Sequence, residues 1–302
     1  MNVPSPMRPP RFSLDRRALA RAFDRAGRGY DAAAWLQRQA GTELLERLQF
    51  FKLSPRCVLD LGAGTCQASR VLAQRYREAE ILAIDLAAGM LRAATARWWS
   101  PRRYRRLCAD AHALPLADAC ADLVYSNLML QWSDQPERLF AECARVLRPG
   151  GLLVFASFGP ESLAELREAW AQADATVHVS EFADMPELAG ALMRSGFVEP
   201  VLDLERVHRD YPDALALMRE LKQLGAHNAA SERARGLTGR ARLAAMTAAY
   251  ERRRTPAGLP ATFQLLYGVA FKGARSAPAE PAPPADGAAG EYVVPLERLR
   301  RR

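Results

Sequence analysis

The stretch VLDLGAGTCQASRVL, residues 58–72, decides how this chain folds. Its apolar opening reads as a short buried strand, its glycines as a tight turn and its closing residues as the start of a helix. Such a turn lets the backbone approach a ligand. Gly62 and Gly64 fit the first two positions of a dinucleotide fingerprint, but the third falls on Gln67, which argues against a bound pyrophosphate. A phosphate-loop lysine is also missing. What stands there is acid-x-Gly-x-Gly, made of Asp60, Gly62 and Gly64. Asp60 places a carboxylate at the strand end, where a cationic amine could sit. The next strand ends in Asp85, 21 residues beyond Gly64, the usual place for an acid that accepts both hydroxyls of a ribose. A third strand ends in Asp110, positioned to meet an adenine amino group.

Outward from this turn, strands and helices alternate. CVLDLG (57–62), EILAIDL (80–86), YRRLCAD (104–110), ADLVYSN (121–127) and LLVFASF (152–158) read as strands. QASRVLAQRY (67–76), GMLRAATARWW (89–99) and PERLFAECARVL (136–147) read as helices. The alternation predicts a parallel sheet with helices on both faces. After Phe158 come two helices, in residues 160–174 and 185–197, and two more strands, VEPVLDLERV (198–207) and ATFQLLYGVAFKG (261–273). Between those strands lies LKQLGAHNAASERARGLTGR (221–240), amphipathic up to Gly225 and then polar, carrying Arg233, Arg235 and Arg240. A further helical segment, ARLAAMTAAYERRR (241–254), follows. An insertion here, about 212–256, would sit at the sheet rim as a cap. The expected fold is α/β and Rossmann-like, with seven mostly parallel strands, helices on both faces and a helical cap before the last strand.

Composition narrows the partners. Of 302 residues, 49% are apolar and 25% charged, which suits a globular protein. A net charge of +8 suggests an anionic partner. Zinc-ligand spacing and RNA-binding signatures are absent, so nucleic acid is not expected. No apolar run is long enough to span a bilayer, and the Pro- and Arg-rich N-terminus lacks the apolar core of a secretory signal. Cys57, Cys66, Cys108, Cys120 and Cys143 are odd in number and include no CxxC, as expected of free thiols in a reducing cytoplasm. His112, His178, His208 and His227 show no metal spacing, so no metal is expected. Residues 1–15 and 274–302 read as tails, the latter Pro- and Ala-rich, around a single domain of 16–273.

The motifs VLDLGAGTC, AIDLAAGML, CADAHALPLADACADLVYSNLMLQW and RVLRPGGLLVFASF resemble, in order and spacing, those of the class I S-adenosylmethionine-dependent methyltransferases across roughly residues 55–158. The resemblance implies S-adenosyl-L-methionine as methyl donor. Gly62 and Gly64 would pack against its methionine end. Asp85, with Leu86, would take the ribose, Met90 would pack near adenine, and Asp110 with Ala111 would meet the adenine edge. Asn127 would border the transferred methyl. The family often has a third glycine where Cys66 stands, which puts close contact there in doubt.

The rest of the chain bears on the substrate. RAFDRAGRGYDAAAWLQRQAGTELL near the N-terminus, FGPESLAELREAWAQAD, DMPELAGALMRSGF, the 221–240 stretch and LPATFQLLYGVAF resemble the malonyl-[acyl-carrier-protein] O-methyltransferases of biotin synthesis, over roughly residues 20–272. The implied partner is acyl carrier protein bearing a malonyl group. Its free carboxylate is already a nucleophile, so no general base is needed, and catalysis would come from holding oxygen, methyl and sulfur in line. A guanidinium fork suits the carboxylate. Arg233 is the first candidate, binding the oxygen that does not attack, and Arg240 the next. Tyr30 would donate to the carboxylate or thioester carbonyl, or else serve as a packing aromatic. Gln37 and Gln39 would approach the methionine carboxylate, and the arginines of 97–106 and 233–254 would steer the carrier. A methyltransferase of another small acid or quinone precursor, and a relative of the complex I assembly type, are the alternatives.

Overall fold

The computed structural model describes residues 14–27, 29–94, 104–225 and 239–273. Three N-terminal helices, α1 (Arg16–Ala26), α2 (Tyr30–Ala33) and α3 (Trp35–Arg47), precede the alternating region. There follow β1 (Cys57–Leu61), α4 (Gln67–Arg75), β2 (Glu80–Asp85), α5 (Ala88–Ala93), β3 (Arg105–Cys108), β4 (Ala121–Asn127), α6 (Pro136–Val146) and β5 (Leu147–Phe158). The C-terminal half holds α7 (Ala164–Ala171), α8 (Met185–Arg194), β6 (Phe197–Tyr211), α9 (Ala214–Gln223), α10 (Arg240–Glu251) and β7 (Leu259–Lys272).

The seven strands form one sheet in the order β3-β2-β1-β4-β5-β7-β6. Pairing is parallel from β3 through β5, while β7 runs antiparallel to both β5 and β6. The order reverses between β1 and β4, so a crevice opens there beyond the carboxyl ends of the strands, where ligands bind in such sheets. Successive strand residues alternate between the two faces. Val58, Leu123 and Val154 join a core with α3, α4, α7, α9 and α10, whereas Leu59, Val124 and Phe155 join one with α6 and α8. The described parts of the insertion between β6 and β7 are helical, as expected, with Gly225 following α9 at φ +71°.

The cap is tied to the body by polar contacts. Arg253 pairs with Glu168 and Arg252 with Gln172, both on or beside α7, while Arg242 reaches Asp174 at 3.7 Å. Arg254, just beyond α10, pairs with Glu251 at that helix's end. Of the described cap arginines expected to steer a partner, Arg242, Arg253 and Arg254 are thus paired with acids of the protein, while Arg252 meets a neutral amide and Arg240 has no ion pair among the described residues. Of the 97–106 cluster, residues 97–103 lie outside the described residues. Arg105 pairs with Glu80 at 3.2 Å, and Arg106 donates to the Leu91 carbonyl. Leu14 and Asp15, expected in a tail, are anchored instead. The Leu14 amide donates to Asp134 at 3.1 Å, and Asp15 caps α1. No helix among the described residues is long and apolar enough to cross a membrane.

One contact tests the packing between β5 and β7. Gly268 pairs with Phe155 in register, and a methyl group on Gly268 would stand 2.2 Å from the Phe155 ring. Gly268→Ala is expected to cost about 1–3 kcal/mol, as overpacking of a dense core does. A lowered urea midpoint with an unchanged slope would register it.

Candidate functional site

The glycine turn and the end of β2 are joined through one carboxylate. Asp85 Oδ2 accepts from the Gly64 amide and Oδ1 from the Ala87 amide, both at 2.8 Å. Gly62 and Gly64 take φ values of +72° and +53°, a region that costs a residue with a side chain. At Gly62 space is short as well, since an added Cβ would lie 2.5 Å from Met129. Cys66, where a third glycine was considered, is fully buried and adopts φ +60°. It keeps the left-handed backbone of a glycine while filling the core with its thiol.

Above this turn lies a cavity of about 1210 Å³ of empty space, part of it open to solvent. Gly62, Gly64, Asp85, Leu86, Met90, Asp110, Ala111 and Asn127 all line it, so the sequence-derived donor residues converge on one place. Asp60 is the exception. Its carboxylate is buried beneath the turn, accepts from Ser69 Oγ at 2.5 Å and does not line the cavity. It therefore supports the turn from below rather than facing an amine.

Asp110 is also more engaged than expected. Its Oδ2 accepts from Arg16 at 2.7 Å, and Oδ1 from the amide of His112 at 2.9 Å and its Nδ1 at 2.8 Å. Burial pushes the Asp110 carboxyl up, but the His112 donors and Arg16 hold it below the ordinary range. With Nδ1 donating, Nε2 of His112 accepts from Ser133 Oγ at 2.7 Å, and burial keeps the imidazole neutral. His112 is thus a satisfied polar residue that fixes the Asp110 side chain. Arg16, missed in the sequence, brings α1 against the cavity with Leu19, Ala20 and Phe23. The signal was present in the amphipathic run that follows the helix cap Asp15.

The rest of the cavity lining is built by segments distant in sequence. Tyr30, Trp35 and Gln37 come from α2 and α3, Phe158 and Phe263 from β5 and β7, and Glu220, Leu221 and Leu224 from the cap. Tyr30 packs with Ala33, Ala34 and Leu224. Asp31 beside it accepts from Thr65 Oγ1 at 2.6 Å, which ties α2 to the glycine turn. Burial, reinforced by the charges of Asp85 and Asp31, raises the Tyr30 hydroxyl, so it stays protonated and can donate. Glu220 Oε1 accepts from Trp35 Nε1 at 2.6 Å and Tyr211 OH at 2.8 Å. Arg209 lies 3.5 Å from Oε2 and covers the Trp35 ring. Phe158 and Phe263 were legible as strand residues but not as cavity walls, because ring orientation depends on tertiary packing.

The expected clamp is only partly in view. Arg233 and Arg235 lie outside the described residues. Arg240 is exposed at the start of α10 and does not line the cavity. Gln39, expected near the ligand, turns instead to Glu205 on β6 at 3.3 Å, whereas Gln37 does line the cavity. His178 pairs with Asp174 and stacks on Trp170, and His208 contacts Thr262, so neither belongs to the site. His227 lies outside the described residues. All five thiols are free. No cluster of three metal-ligating side chains occurs among the described residues.

Whether S-adenosylmethionine suits this cavity can be judged from its orphaned atoms. The side-chain oxygens of Gln37, Asn127 and Gln131 are buried there without hydrogen-bond partners. Two are fixed in direction, because Asn127 Nδ2 donates to the Gln37 carbonyl at 2.8 Å and Gln131 Nε2 to the Leu128 carbonyl at 2.6 Å. Unsatisfied buried acceptors are costly and demand donors or positive charge. A cationic, hydroxyl-bearing ligand answers both the three oxygens and the Asp85 carboxylate, so the residues fit.

The Asp60 carboxyl, raised by burial to about 7 and only partly restored by its Ser69 bond, predicts a pH effect on stability. Between the unfolded value near 3.8 and about 7 the folded chain keeps a proton that the unfolded chain has lost. Stability therefore falls as pH rises through that window. Asp60→Asn is expected to stabilise the apo-protein at pH 8.5 and to lose that advantage by pH 4. Thermal melts of both proteins across this range would reveal the crossing.

Comparison with known proteins agrees with this geometry. The family model described as a methyltransferase domain matches residues 59–155. A malonyl-[acyl-carrier protein] O-methyltransferase of Methylovorus sp. is 45% identical over 267 residues, covering 86% of this chain and 90% of that protein. Malonyl-[acyl-carrier protein] O-methyltransferase 1 of Coxiella burnetii is 39% identical, covering 96% of this chain and 98% of that one. Among solved structures, the YcgJ protein of Bacillus subtilis superposes with a TM-score of 0.56 at 16% identity, over 77% of this chain and 99% of its own. An S-adenosylmethionine-dependent methyltransferase of Thermotoga maritima gives 0.50 at 18% identity, over 83% and 99%. These structural likenesses carry the class I methyltransferase fold.

Proposed function

Because the chain belongs to the malonyl-[acyl-carrier protein] O-methyltransferase family, we propose that it methylates the free carboxylate of a malonyl thioester on acyl carrier protein. The methyl ester formed would prime pimeloyl synthesis for biotin. The observation that carries this reading is the single cavity joining the Asp85–Asp110 end to the Tyr30, Trp35, Phe158 and Phe263 end beneath the cap. Donor and acceptor can meet there without crossing solvent.

Bound in that cavity, S-adenosylmethionine supplies an electrophilic methyl group on a sulfonium. Asp85 would hold the ribose, since each of its oxygens has accepted one amide and keeps a free lone pair. Met90 and Ala111 would flank the adenine. The orphaned oxygens of Asn127 and Gln131 favour the positive charge of the donor. The malonyl carboxylate is ionised at neutral pH, so no residue has to remove a proton. Tyr30 would donate to the carboxylate or thioester carbonyl, and the aromatic walls would exclude water. Arg233 would pair with the carboxylate oxygen that does not attack, leaving the other nucleophilic. The arrangement works by alignment, which can supply several kcal/mol.

Two measurements test the assignment. Asp85→Ala should weaken S-adenosylmethionine and its demethylated product alike by about 1.5–3 kcal/mol, as for hydrogen bonds to a charged group. Unchanged calorimetric affinity would remove Asp85 from the site. Arg233→Ala should lose roughly 3–5 kcal/mol of transition-state stabilisation with cofactor affinity intact. Arg233→Lys should keep part of the activity, because it retains charge but not the fork. An acyl-carrier protein whose chain lacks the free carboxylate should not be methylated by wild type.

A further inference from the structure

The helix that walls the cavity carries a row of positive charge on its outer side. Arg17, Arg21 and Arg25 occupy successive turns of α1, and all three are exposed. Arg16, Leu19 and Phe23 on the inner side line the cavity. Asp24, the acid within the row, has its Oδ1 engaged by the Gly89 amide at 2.5 Å. Arg92 is exposed on α5, the helix packed against α1. None of these four arginines has an ion-pair partner among the described residues.

Two facts set this row apart from ordinary solvated charge. Like charges four residues apart destabilise a helix, and exposed helices usually intersperse acids that relieve the cost. In the cap, by contrast, Arg253, Arg242 and Arg254 are matched to Glu168, Asp174 and Glu251. Beside the cavity, the α1 row and Arg92 therefore form a patch of positive charge without ion-pair partners among the described residues. α1 also reaches the cap, for a Cβ on Gly225 would lie 3.1 Å from Phe23. A partner seated on the outer face would stand beside the cavity wall and next to the cap.

We propose that the outer face of α1, with Arg17, Arg21, Arg25 and Arg92, is the landing surface for the carrier protein, recognised through acidic side chains. This rests on the malonyl-carrier reading above. Charge complementarity of this kind speeds encounter and fixes orientation, and it weakens with salt. It acts on the carrier and not on the thioester chemistry.

The test compares wild type with Arg17→Glu/Arg21→Glu/Arg25→Glu and the milder triple alanine variant, on malonyl-carrier protein and on malonyl-CoA. The charge reversal is expected to raise KM for the carrier substrate tenfold or more, with kcat held, and to abolish the salt dependence of wild type. KM for malonyl-CoA and calorimetric affinity for S-adenosylmethionine should not move. The alanine variant should show a smaller change in the same direction. An unchanged carrier KM overturns the proposal. A parallel loss on malonyl-CoA or S-adenosylmethionine also overturns it, because the helix would then be acting as cavity wall alone. Binding to anionic vesicles or DNA that the reversal abolishes while carrier binding persists would assign the face to another partner. If wild type methylates neither substrate, the functional reading itself fails and the landing surface falls with it.

Discussion

The Asp85 carboxylate is the constraint on which the rest of the site depends. It closes the end of β2 against the turn after β1 by accepting one amide from each side. The Ile84 carbonyl adds a second tie, accepting from the amides of Gly62 and Ala63 at 2.9 and 3.0 Å. Burial raises the Asp85 carboxyl, and the Ala87 and Gly64 amides oppose that rise. The charge is thus stabilised by backbone dipoles rather than by a neighbouring cation. Lone pairs remain available at a position the sheet register determines, since Leu61 and Ile84 face each other across β1 and β2.

From that fixed point the acceptor end is assembled by polar links between remote segments. Thr65 holds Asp31, Asn127 holds the Gln37 carbonyl, and Glu220 gathers Trp35 and Tyr211. Each link joins an N-terminal or cap residue to the sheet or to another wall. The aromatic lining alone would slide, because apolar packing carries little direction. The hydrogen bonds give it a register, and the burial that strengthens them is supplied by the same aromatic residues.

The glycine-turn side of the cavity lining was legible in the sequence because its determinants are local. A glycine that must adopt positive φ, or an acid that closes a strand, acts through neighbours a few residues away. Gly62, Gly64, Asp85 and Asp110 could therefore be located as lining residues from order and spacing, and Met90 from the family resemblance. Asp60 was correctly placed at the end of β1 but assigned the wrong direction, since strand alternation does not reveal that Ser69 captures it from α4. The acceptor half was opaque for the opposite reason. Trp35, Phe158, Phe263 and Glu220 belong to four segments whose meeting depends on β7 inserting between β5 and β6. The cap's position could be read from its place between two strands, yet the pairing of its arginines with α7 could not. That pairing depends on where α10 lands.

The attachment of α1 has a consequence for timing. Arg16 grips Asp110 and Asp134, the Leu14 amide adds a second bond to Asp134, and Asp24 holds Gly89 further along the helix. The Asp110 side chain that lines the cavity is therefore also the one that holds α1 against it. Opening the site on that side would mean breaking a forked arginine contact. Gated steps of this sort commonly set the pace of well-evolved enzymes. The clock of this protein would then be electrostatic, running faster when the latch is loosened even though the bond-making step is untouched.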